Sequence, residues 1–208
     1  MKNKNLYIFG GKSTALEIFE TAISLNFYSN IYMVVSDSEM KTQTNTIKES
    51  DLQIISNEKA ESYFIVSMSD LKIKEKCLKL GYSLELNLVS IIHPTSLISK
   101  TSEIGEGVYL AANSIISSNA VVENNCMINY QVVIGHDSKI KENCVLNPGV
   151  VIGGNSIIGE NVLIGANSVI KQNLKISADS KIDALTYVYF DIEKTSVCTS
   201  RNIKVINL

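Results

Sequence analysis

The hydrophobic residues between positions 92 and 187 recur with a period of six. An aliphatic residue occupies every sixth position from Ile92 to Ile182 without exception. The third residue after each aliphatic is usually Asn, Asp or Gly, and the fourth is nearly always small. Asn, Asp and Gly enter the left-handed backbone region at low cost. Each hexad therefore predicts a short flat side, with the aliphatic and the small residue inward, followed by a bend.

Three such sides would form one triangular coil of eighteen residues. Stacked coils bury the aliphatic column along one axis, and each coil contacts only its neighbours. An α-helix would return apolar residues every three or four positions, and an ordinary strand every two. The pattern therefore predicts a parallel β-helix built from hexapeptides.

Residues 1–90 have a different pattern. An apolar run at 6–9 and a Gly10-Gly11 turn are followed by a helical stripe at 15–25 and a second apolar run at 31–35. Strand, glycine turn, helix and strand form one unit of a Rossmann-like α/β domain. Further along we expect a polar surface loop at 37–50, a strand at 63–67, a helix at 70–80 closed by Gly81, and a strand at 86–92. The boundary is placed near Ser90, and residues 190–208 are expected to cap the far end of the β-helix.

Composition narrows the class of protein. Of the 208 residues 45% are hydrophobic and 19% are charged, which is typical of a folded core. A formal net charge of −2 gives no argument for binding nucleic acid. No signal peptide is expected, because residues 2–9 lack a long apolar stretch, and no apolar run approaches the length of a membrane span. The four cysteines are too sparse for a disulfide framework, so the expected location is the reducing cytoplasm.

Two of those cysteines, Cys126 and Cys144, are eighteen residues apart and should stack on consecutive coils. They could then form a disulfide or share a metal ion. Alternatively, both are compact hydrophobes at the small inward position.

The amino-terminal domain offers one candidate ligand site. Gly10 and Gly11 follow a strand and precede a helix, where backbone N–H groups can bind an anion. The alternative is a tight turn with no ligand. Asp37 follows the second strand, where a carboxylate can contact a sugar hydroxyl or simply form a turn.

The β-helix offers one candidate catalytic residue. His136 is the third residue of its hexad, at a corner and pointing outward, and Asp137 follows it. A neutral imidazole can act as a general base near pH 7, and a carboxylate can orient it. The alternative is an exposed surface histidine. The only other histidine, His93, precedes a proline at the domain junction, so the chain lacks a histidine cluster for zinc.

Several of these motifs occur together in one known family. Residues 92–94 read Ile-His-Pro, residues 134–137 read Ile-Gly-His-Asp, and residues 147–154 read Asn-Pro-Gly-Val-Val-Ile-Gly-Gly. With the hexads and the Gly10 turn, they resemble the bacterial left-handed β-helix sugar acyltransferases. That family includes sialic acid O-acetyltransferases and UDP-4-amino-sugar N-acetyltransferases.

The resemblance implies a left-handed β-helix, a homotrimer, and acetyl-CoA bound as co-substrate between neighbouring β-helices, with no metal. It implies that His136 is the base and Asp137 its acidic partner. Gly154 would approach the thioester, and Gly165 and Ala166 would border the pantetheine arm.

By the same resemblance, the sugar or nucleotide-sugar acceptor would contact five residues of this chain: Gly10, Gly11, Ser36, Asp37 and Asn129. The chain departs from the family at 199–204, where Arg201 and Lys204 either meet the CoA phosphates or belong to a solvated face.

The main hypothesis is therefore an acetyl-CoA-dependent sugar O- or N-acetyltransferase of bacterial surface-glycan synthesis. The acceptor would attack the thioester directly, with His136 as general base. The alternative is a non-catalytic β-helix that serves as a scaffold or assembly subunit.

Overall fold

The computed structural model describes residues 4–39, 45–55, 61–199 and 202–207, with the backbone alone at 53–55 and 202–207. The chain divides into two compact units between Pro94 and Thr95. In the described residues, no helix is both long and apolar enough to cross a bilayer.

The first unit is a five-stranded parallel sheet with helices. Its elements are β1 (Lys4–Phe9), α1 (Thr14–Leu25), β2 (Asn30–Val35), β3 (Thr46–Lys48), α2 (Glu49–Ile55), β4 (Glu61–Val66), α3 (Leu71–Ser83) and β5 (Asn87–Leu88), followed by β6 (Ile91–Ile92). The strands of the sheet lie in the order β3-β2-β1-β4-β5. The chain leaves β1 towards β2 and later returns to its other side at β4. In such sheets, the carboxyl ends of the two strands at the reversal border a crevice.

The apolar strands form because both faces of a parallel sheet are covered, and the central ones read as continuous hydrophobic runs. Leu6, Tyr7, Ile8 and Phe9 of β1 are all fully buried. The Phe9 ring meets the Phe64 ring edge to face, with centroids 5.9 Å apart. This core holds the turn after β1 in place.

Three sequence expectations for the first unit were wrong. The polar segment 37–50 is not all loop, because it contains β3 and the start of α2. The predicted strand at 86–92 is interrupted, since β5 and β6 are separate short strands.

The third concerns Gly81, which lies inside α3 rather than closing it. The helix continues to Ser83, and a Cβ at Gly81 would lie 2.4 Å from Cε2 of Phe64. Gly81 is therefore required for close packing of the helix on β4.

The second unit is a three-sided parallel β-helix, and each strand pairs with the strand one coil later. The first sheet contains β7 (Leu97–Ile98), β10 (Ile115–Ile116), β13 (Val133–Ile134), β16 (Val151–Ile152), β19 (Val169–Ile170) and β22 (Tyr187–Val188). The second contains β8 (Glu103–Ile104), β11 (Val121–Val122), β14 (Lys139–Ile140), β17 (Ile157–Ile158) and β20 (Lys175–Ile176). The third includes β9 (Tyr109–Leu110), β12 (Met127–Ile128), β15 (Val145–Leu146), β18 (Leu163–Ile164) and β21 (Lys181–Ile182).

The corners of the β-helix have the backbone conformation that the hexads predict. Every sixth residue from Gly107 to Leu185 has a positive φ, and most of these residues are Asn, Asp or Gly. The aliphatic that ends each of the strands β9 to β22 is buried. Burial of this column stabilises the fold at roughly 25 cal/mol per Å² of apolar surface.

The small inward residues bond the coils to one another. Ser138, for example, donates from Oγ to the carbonyl of Gly153 at 3.0 Å. Cys126 and Cys144 are inward in the same way, with Sγ 3.1 Å from the carbonyl of Lys141 and 3.0 Å from that of Gly159. All four cysteines are buried thiols. These two cysteines therefore serve as compact core residues.

The chain ends with two longer strands. β23 (Ser196–Thr199) pairs in parallel with β21, and β24 (Asn202–Asn207) pairs antiparallel with β23. These strands extend the third sheet.

Candidate functional site

One corner of the β-helix brings the candidate catalytic residues together. Because each coil has eighteen residues, Ser118, His136 and Gly154 stack at this corner. The amide of Asp137 donates to the carbonyl of Ser118 at 2.9 Å, and that of Asn155 to the carbonyl of His136 at 2.8 Å. These bonds fix the position of each residue along the β-helix axis relative to the neighbouring coil.

His136 and Asp137 are in direct contact, although neighbours in sequence often are not. Nδ1 of the imidazole lies 2.7 Å from Oδ2 of the carboxylate. Asp137 has φ of 58°, so the chain turns sharply between the two side chains. Both remain accessible, with 60% and 45% of the side chains exposed. The predicted outward orientation of His136 is therefore confirmed by the geometry.

Asp137 is held from a second side by Asn119, one coil earlier. The Asn119 amide donates from Nδ2 to Oδ1 of Asp137 at 3.0 Å. This bond, and next the one with His136, lower the pKa of Asp137 below its ordinary value. An ionised carboxylate only accepts hydrogen bonds, so Nδ1 of the neutral imidazole must carry the proton. Nε2 is then the basic atom.

Gly154 lies directly against that basic atom. A Cβ built at Gly154 would be 2.7 Å from Nε2 and 2.8 Å from Cε1 of His136. Gly154 itself is buried. Its N–H donates to no acceptor in the part of the chain that the structure describes. The site therefore combines a base, an orienting carboxylate and a close stretch of backbone.

Three other candidate residues lie outside this corner. Ala166 follows β18 of the third sheet, and its carbonyl accepts from the amide of Leu185 at 2.9 Å. Gly165 precedes it, and a Cβ there would lie 2.3 Å from the amide nitrogen of Ala184. Asn129 follows β12 of the same sheet, is 7% exposed and donates from Nδ2 to the carbonyl of Leu146 at 3.1 Å. Within one chain, the fold does not place these residues beside His136.

Of the two residues predicted to contact the CoA phosphates, the structure describes only one, and only by its backbone. Arg201 lies outside the described residues. Lys204 belongs to β24 by its backbone, and its side chain lies outside what the structure describes.

In the first unit, the Gly10 turn lies at the crevice where the strand order reverses. Gly10 has φ of 130°, which favours glycine, and a Cβ there would lie 2.1 Å from Oγ of Ser67. Ser67 follows β4 and donates from Oγ to the carbonyl of Phe9 at 2.7 Å. A Cβ at Gly11 would lie 2.4 Å from Cγ1 of Val35. Both glycines are therefore required for close packing of the turn.

Ser36 and Asp37 lie at the carboxyl end of the neighbouring strand β2. Oδ1 of Asp37 accepts from Oγ of Ser50 at 2.8 Å and from its amide at 3.2 Å. These two bonds are the main causes that lower the pKa of the Asp37 carboxyl. Ser36 contacts Ser38 through their hydroxyls at 3.1 Å. The fold thus gathers Gly10, Gly11, Ser36 and Asp37 at one edge of the sheet.

A separate cavity of about 370 Å³ lies at the other end of β2. It is lined by residues from the end of α1 and the start of β2, including Ile23, Tyr28 and Tyr32. Burial raises the pKa of Tyr28 to about 12, with a smaller contribution from Tyr63. None of the candidate residues lines this cavity.

Sequence reasoning missed Asn119 and Ser67. Asn119 could have been found, because it precedes Asp137 by one coil of eighteen residues and occupies the same hexad position. Ser67 carries no such signal, since only the sheet topology brings it to Gly10. Among the described residues, no three side chains of His, Cys, Asp or Glu are grouped to hold a metal ion.

One protein-family model matches the middle of the β-helix. Residues 137–172 match the model described as bacterial transferase hexapeptide (six repeats). The matched residues all lie within the β-helix. No curated protein sequence matches the chain significantly.

Solved structures match this chain over nearly its whole length. One is the acetyltransferase domain of PglB from Neisseria gonorrhoeae, with 20% identity, a TM-score of 0.87, and coverage of 98% of this chain and 100% of that chain. Another is a histidine-to-asparagine variant of perosamine N-acetyltransferase from Caulobacter crescentus in complex with CoA and GDP-perosamine, with 20% identity, a TM-score of 0.89, and coverage of 98% and 97%. A third is WeeI from Acinetobacter baumannii, with 14% identity, a TM-score of 0.66, and coverage of 98% and 100%. The predicted fold, an α/β unit followed by a left-handed hexapeptide β-helix, is confirmed.

Proposed function

We propose that this protein is an acetyl-CoA-dependent acetyltransferase whose acceptor is an amino or hydroxyl group of a nucleotide-linked sugar, in bacterial surface-glycan synthesis. The observation that carries the proposal is the His136–Asp137 pair, 2.7 Å apart, beside the backbone of Gly154. Two relatives of the same fold support the choice of substrates. The PglB domain was solved in complex with acetyl coenzyme A, and the perosamine enzyme with CoA and GDP-perosamine.

His136 would act as the general base. The acceptor N–H or O–H loses its proton to Nε2 while its nitrogen or oxygen attacks the thioester carbonyl. The resulting imidazolium then returns the proton to the departing CoA sulfur as the carbon–sulfur bond breaks. Asp137 would hold the Nδ1–H tautomer and stabilise the imidazolium. No covalent enzyme intermediate is needed.

The backbone around Gly154 would stabilise the developing oxyanion. Its N–H donates to no acceptor in the described part of the chain, and such a donor lowers the barrier of acyl transfer. Gly165 and Ala166 would border the pantetheine arm from a neighbouring subunit, because within one chain they lie at a different corner. Arg201 and Lys204 are proposed contacts of the CoA phosphates.

The acceptor would use the first unit. Gly10, Gly11, Ser36 and Asp37 lie together at the carboxyl ends of β1 and β2, where doubly wound sheets bind nucleotides. Asn129 is proposed as an additional sugar contact. The amino-terminal unit would thus select the sugar, and the β-helix would supply the chemistry.

A homotrimer would complete the site. The outward residues of the first β-helix sheet form an unbroken apolar column. Five of them are at least 36% exposed although large and hydrophobic: Leu97, Ile115, Val151, Val169 and Tyr187. The corresponding column of the second sheet includes charged residues, with Lys139 paired to Glu123 at 2.7 Å. An exposed apolar face of this kind is typical of a protein interface. We propose that second and third copies of the chain cover it in the cytoplasm.

Calorimetry with the purified protein tests the proposal. Acetyl-CoA should bind at one site per chain, and a panel of UDP-, CMP- and GDP-linked amino sugars should then show which acceptor is acetylated. A chain that assembles normally but binds no acetyl-CoA at millimolar concentration would favour the scaffold alternative.

A further inference from the structure

The carboxylate of Asp137 has two partners on two different coils. Oδ2 meets Nδ1 of His136 at 2.7 Å, and Oδ1 accepts from Nδ2 of Asn119 at 3.0 Å. Each oxygen is thus engaged by one donor. The two contacts together fix the plane of the carboxylate.

Packing alone does not hold this arrangement. The imidazole is 60% exposed and the carboxylate 45% exposed. The last torsion of an Asp side chain has a broad energy profile, so an exposed carboxylate rotates easily. His136 adjoins Asp137 in the chain and is exposed itself, so it is a poor anchor for it. Asn119 is exposed as well, but its backbone is held independently of the pair, because its N–H donates to Oγ1 of Thr101, one coil earlier, at 3.0 Å. Its amide therefore gives Asp137 a partner that is anchored on a different coil.

We propose that Asn119 is a positioning residue for acetyl transfer: its amide orients the Asp137 carboxylate so that His136 keeps its proton on Nδ1 and presents Nε2, next to Gly154, to the acceptor. This inference rests on the proposed function. It adds to the site a third side chain, seventeen positions before the histidine, that would act through Asp137.

The chain contains the same pair of residues at a corner without a histidine. Asn161 donates from Nδ2 to Oδ1 of Asp179 at 2.9 Å, also one coil apart. All four residues of the two pairs have φ between 58° and 59°. Asp179, however, is preceded by Ala178, where Asp137 is preceded by His136. Asn161–Asp179 is therefore a matched control for the structural role of the pair.

The test compares Asn119→Gly with Asn161→Gly. Glycine accepts the positive φ, so each variant loses the amide without backbone strain. Asn119→Gly should lower kcat about tenfold with little change in either KM, because the lost bond acts on the base and not on substrate binding. Asn161→Gly should retain the wild-type kcat. Asn119→Asp, which keeps the shape but replaces the donor by a second carboxylate, should lower kcat at least as far.

A spectroscopic measurement separates this inference from the proposed function. The chain has two histidines, so ¹⁵N resonances of the His136 ring can be assigned by comparison with His136→Ala. In alkaline buffer, wild type and Asn161→Gly should show the Nδ1–H tautomer, and Asn119→Gly should shift towards Nε2–H. A wild type that transfers no acetyl group would defeat the proposed function, and the tautomer shift alone would then decide the role of Asn119.

Two results would overturn the inference. One is an Asn119→Gly protein with the turnover and the tautomer of Asn161→Gly. The other is a loss of turnover with an unchanged tautomer, because the defect would then arise elsewhere than in the orientation of His136.

Discussion

The basic nitrogen of His136 lies where a side chain at Gly154 would begin. A Cβ at Gly154 would be 2.7 Å from Nε2, and the three atoms nearest to it all belong to the His136 ring. Only glycine at this position leaves the imidazole in place. This relationship joins two consecutive coils in one site and leads to the first prediction.

Gly154→Ala should displace the imidazole rather than unfold the coil, because the ring is exposed and can move. A shift of about 1 Å in a catalytic group can cost on the order of 10²-fold in rate. We expect such a loss of kcat with a melting temperature close to that of wild type. In a His136→Ala background the same substitution should have almost no effect on stability or residual activity. An equal effect of Gly154→Ala in both backgrounds would show that the two residues act independently.

His136→Ala should lower kcat by about 10² to 10⁴, which is the usual contribution of a general base. Acetyl-CoA binding and the oligomeric state should be unchanged, because the side chain is exposed and bonded within the described residues to its neighbour Asp137. Steady-state kinetics and calorimetry on the same preparation check both points. Normal turnover in this variant would rule out His136 as the base.

Asp137 should remain ionised throughout the working pH range, because its pKa is lowered by the bonds from Asn119 and His136. The ionised form is retained above the lowered pKa and lost as the pH falls through it, below the ordinary value of about 3.9. Asp137→Asn should therefore reduce kcat at neutral pH without adding a new ionisation to the profile between pH 5 and 8. A pH–rate profile of both proteins measures this, and an ionisation near pH 5 that disappears in Asp137→Asn would contradict it.

Val151→Glu should disrupt self-association, because it places a charge in the apolar column of the first sheet. Ile157→Glu is the matched control, since Ile157 is outward on the second sheet and equally exposed, at 37% against 36%. Light scattering should show a trimer for wild type and Ile157→Glu, and a smaller species for Val151→Glu. A monomeric wild type would contradict the proposed assembly.

The cysteines should be unreactive in the folded protein. All four are buried thiols, and burial raises the pKa of Cys77 to about 11. Because the thiolate is the reactive form, a thiol reagent at pH 8 should modify Cys77 slowly. Denaturation should expose four reactive thiols, which a colorimetric assay can count. Rapid labelling of the native protein would contradict the burial.

Much of the local structure could be predicted from the chain. The hexads determined the strands, the inward aliphatics and the left-handed corners, because a six-residue repeat specifies each coil through local conformation and contacts with the next coil. The same periodicity indicated that His136 lies outward at a corner and that Cys126 and Cys144 lie inward. The glycine turn after β1 was also evident, since Gly10 and Gly11 separate an apolar run from a helical stripe.

Where sequence reasoning failed, a distant contact had overridden the local preference. Gly81 reads as a helix terminator, but the ring of Phe64 requires a glycine within α3. The polar segment after Asp37 was predicted to be a loop. Residues 46–48 nevertheless form a strand, because they pair with Met33, Val34 and Val35 of β2.

In the candidate site, too, some features could be predicted from the sequence and others required the structure. The sequence by itself determined that His136 and Asp137 are adjacent at an outward corner and that Gly154 follows one coil later. Only the tertiary structure decided that imidazole and carboxylate touch, that Asn119 holds the carboxylate, and that Gly154 abuts Nε2. The reason is physical: a repeat fixes the position of each residue along and around the coil, whereas hydrogen-bond partners depend on the direction of side chains from different coils.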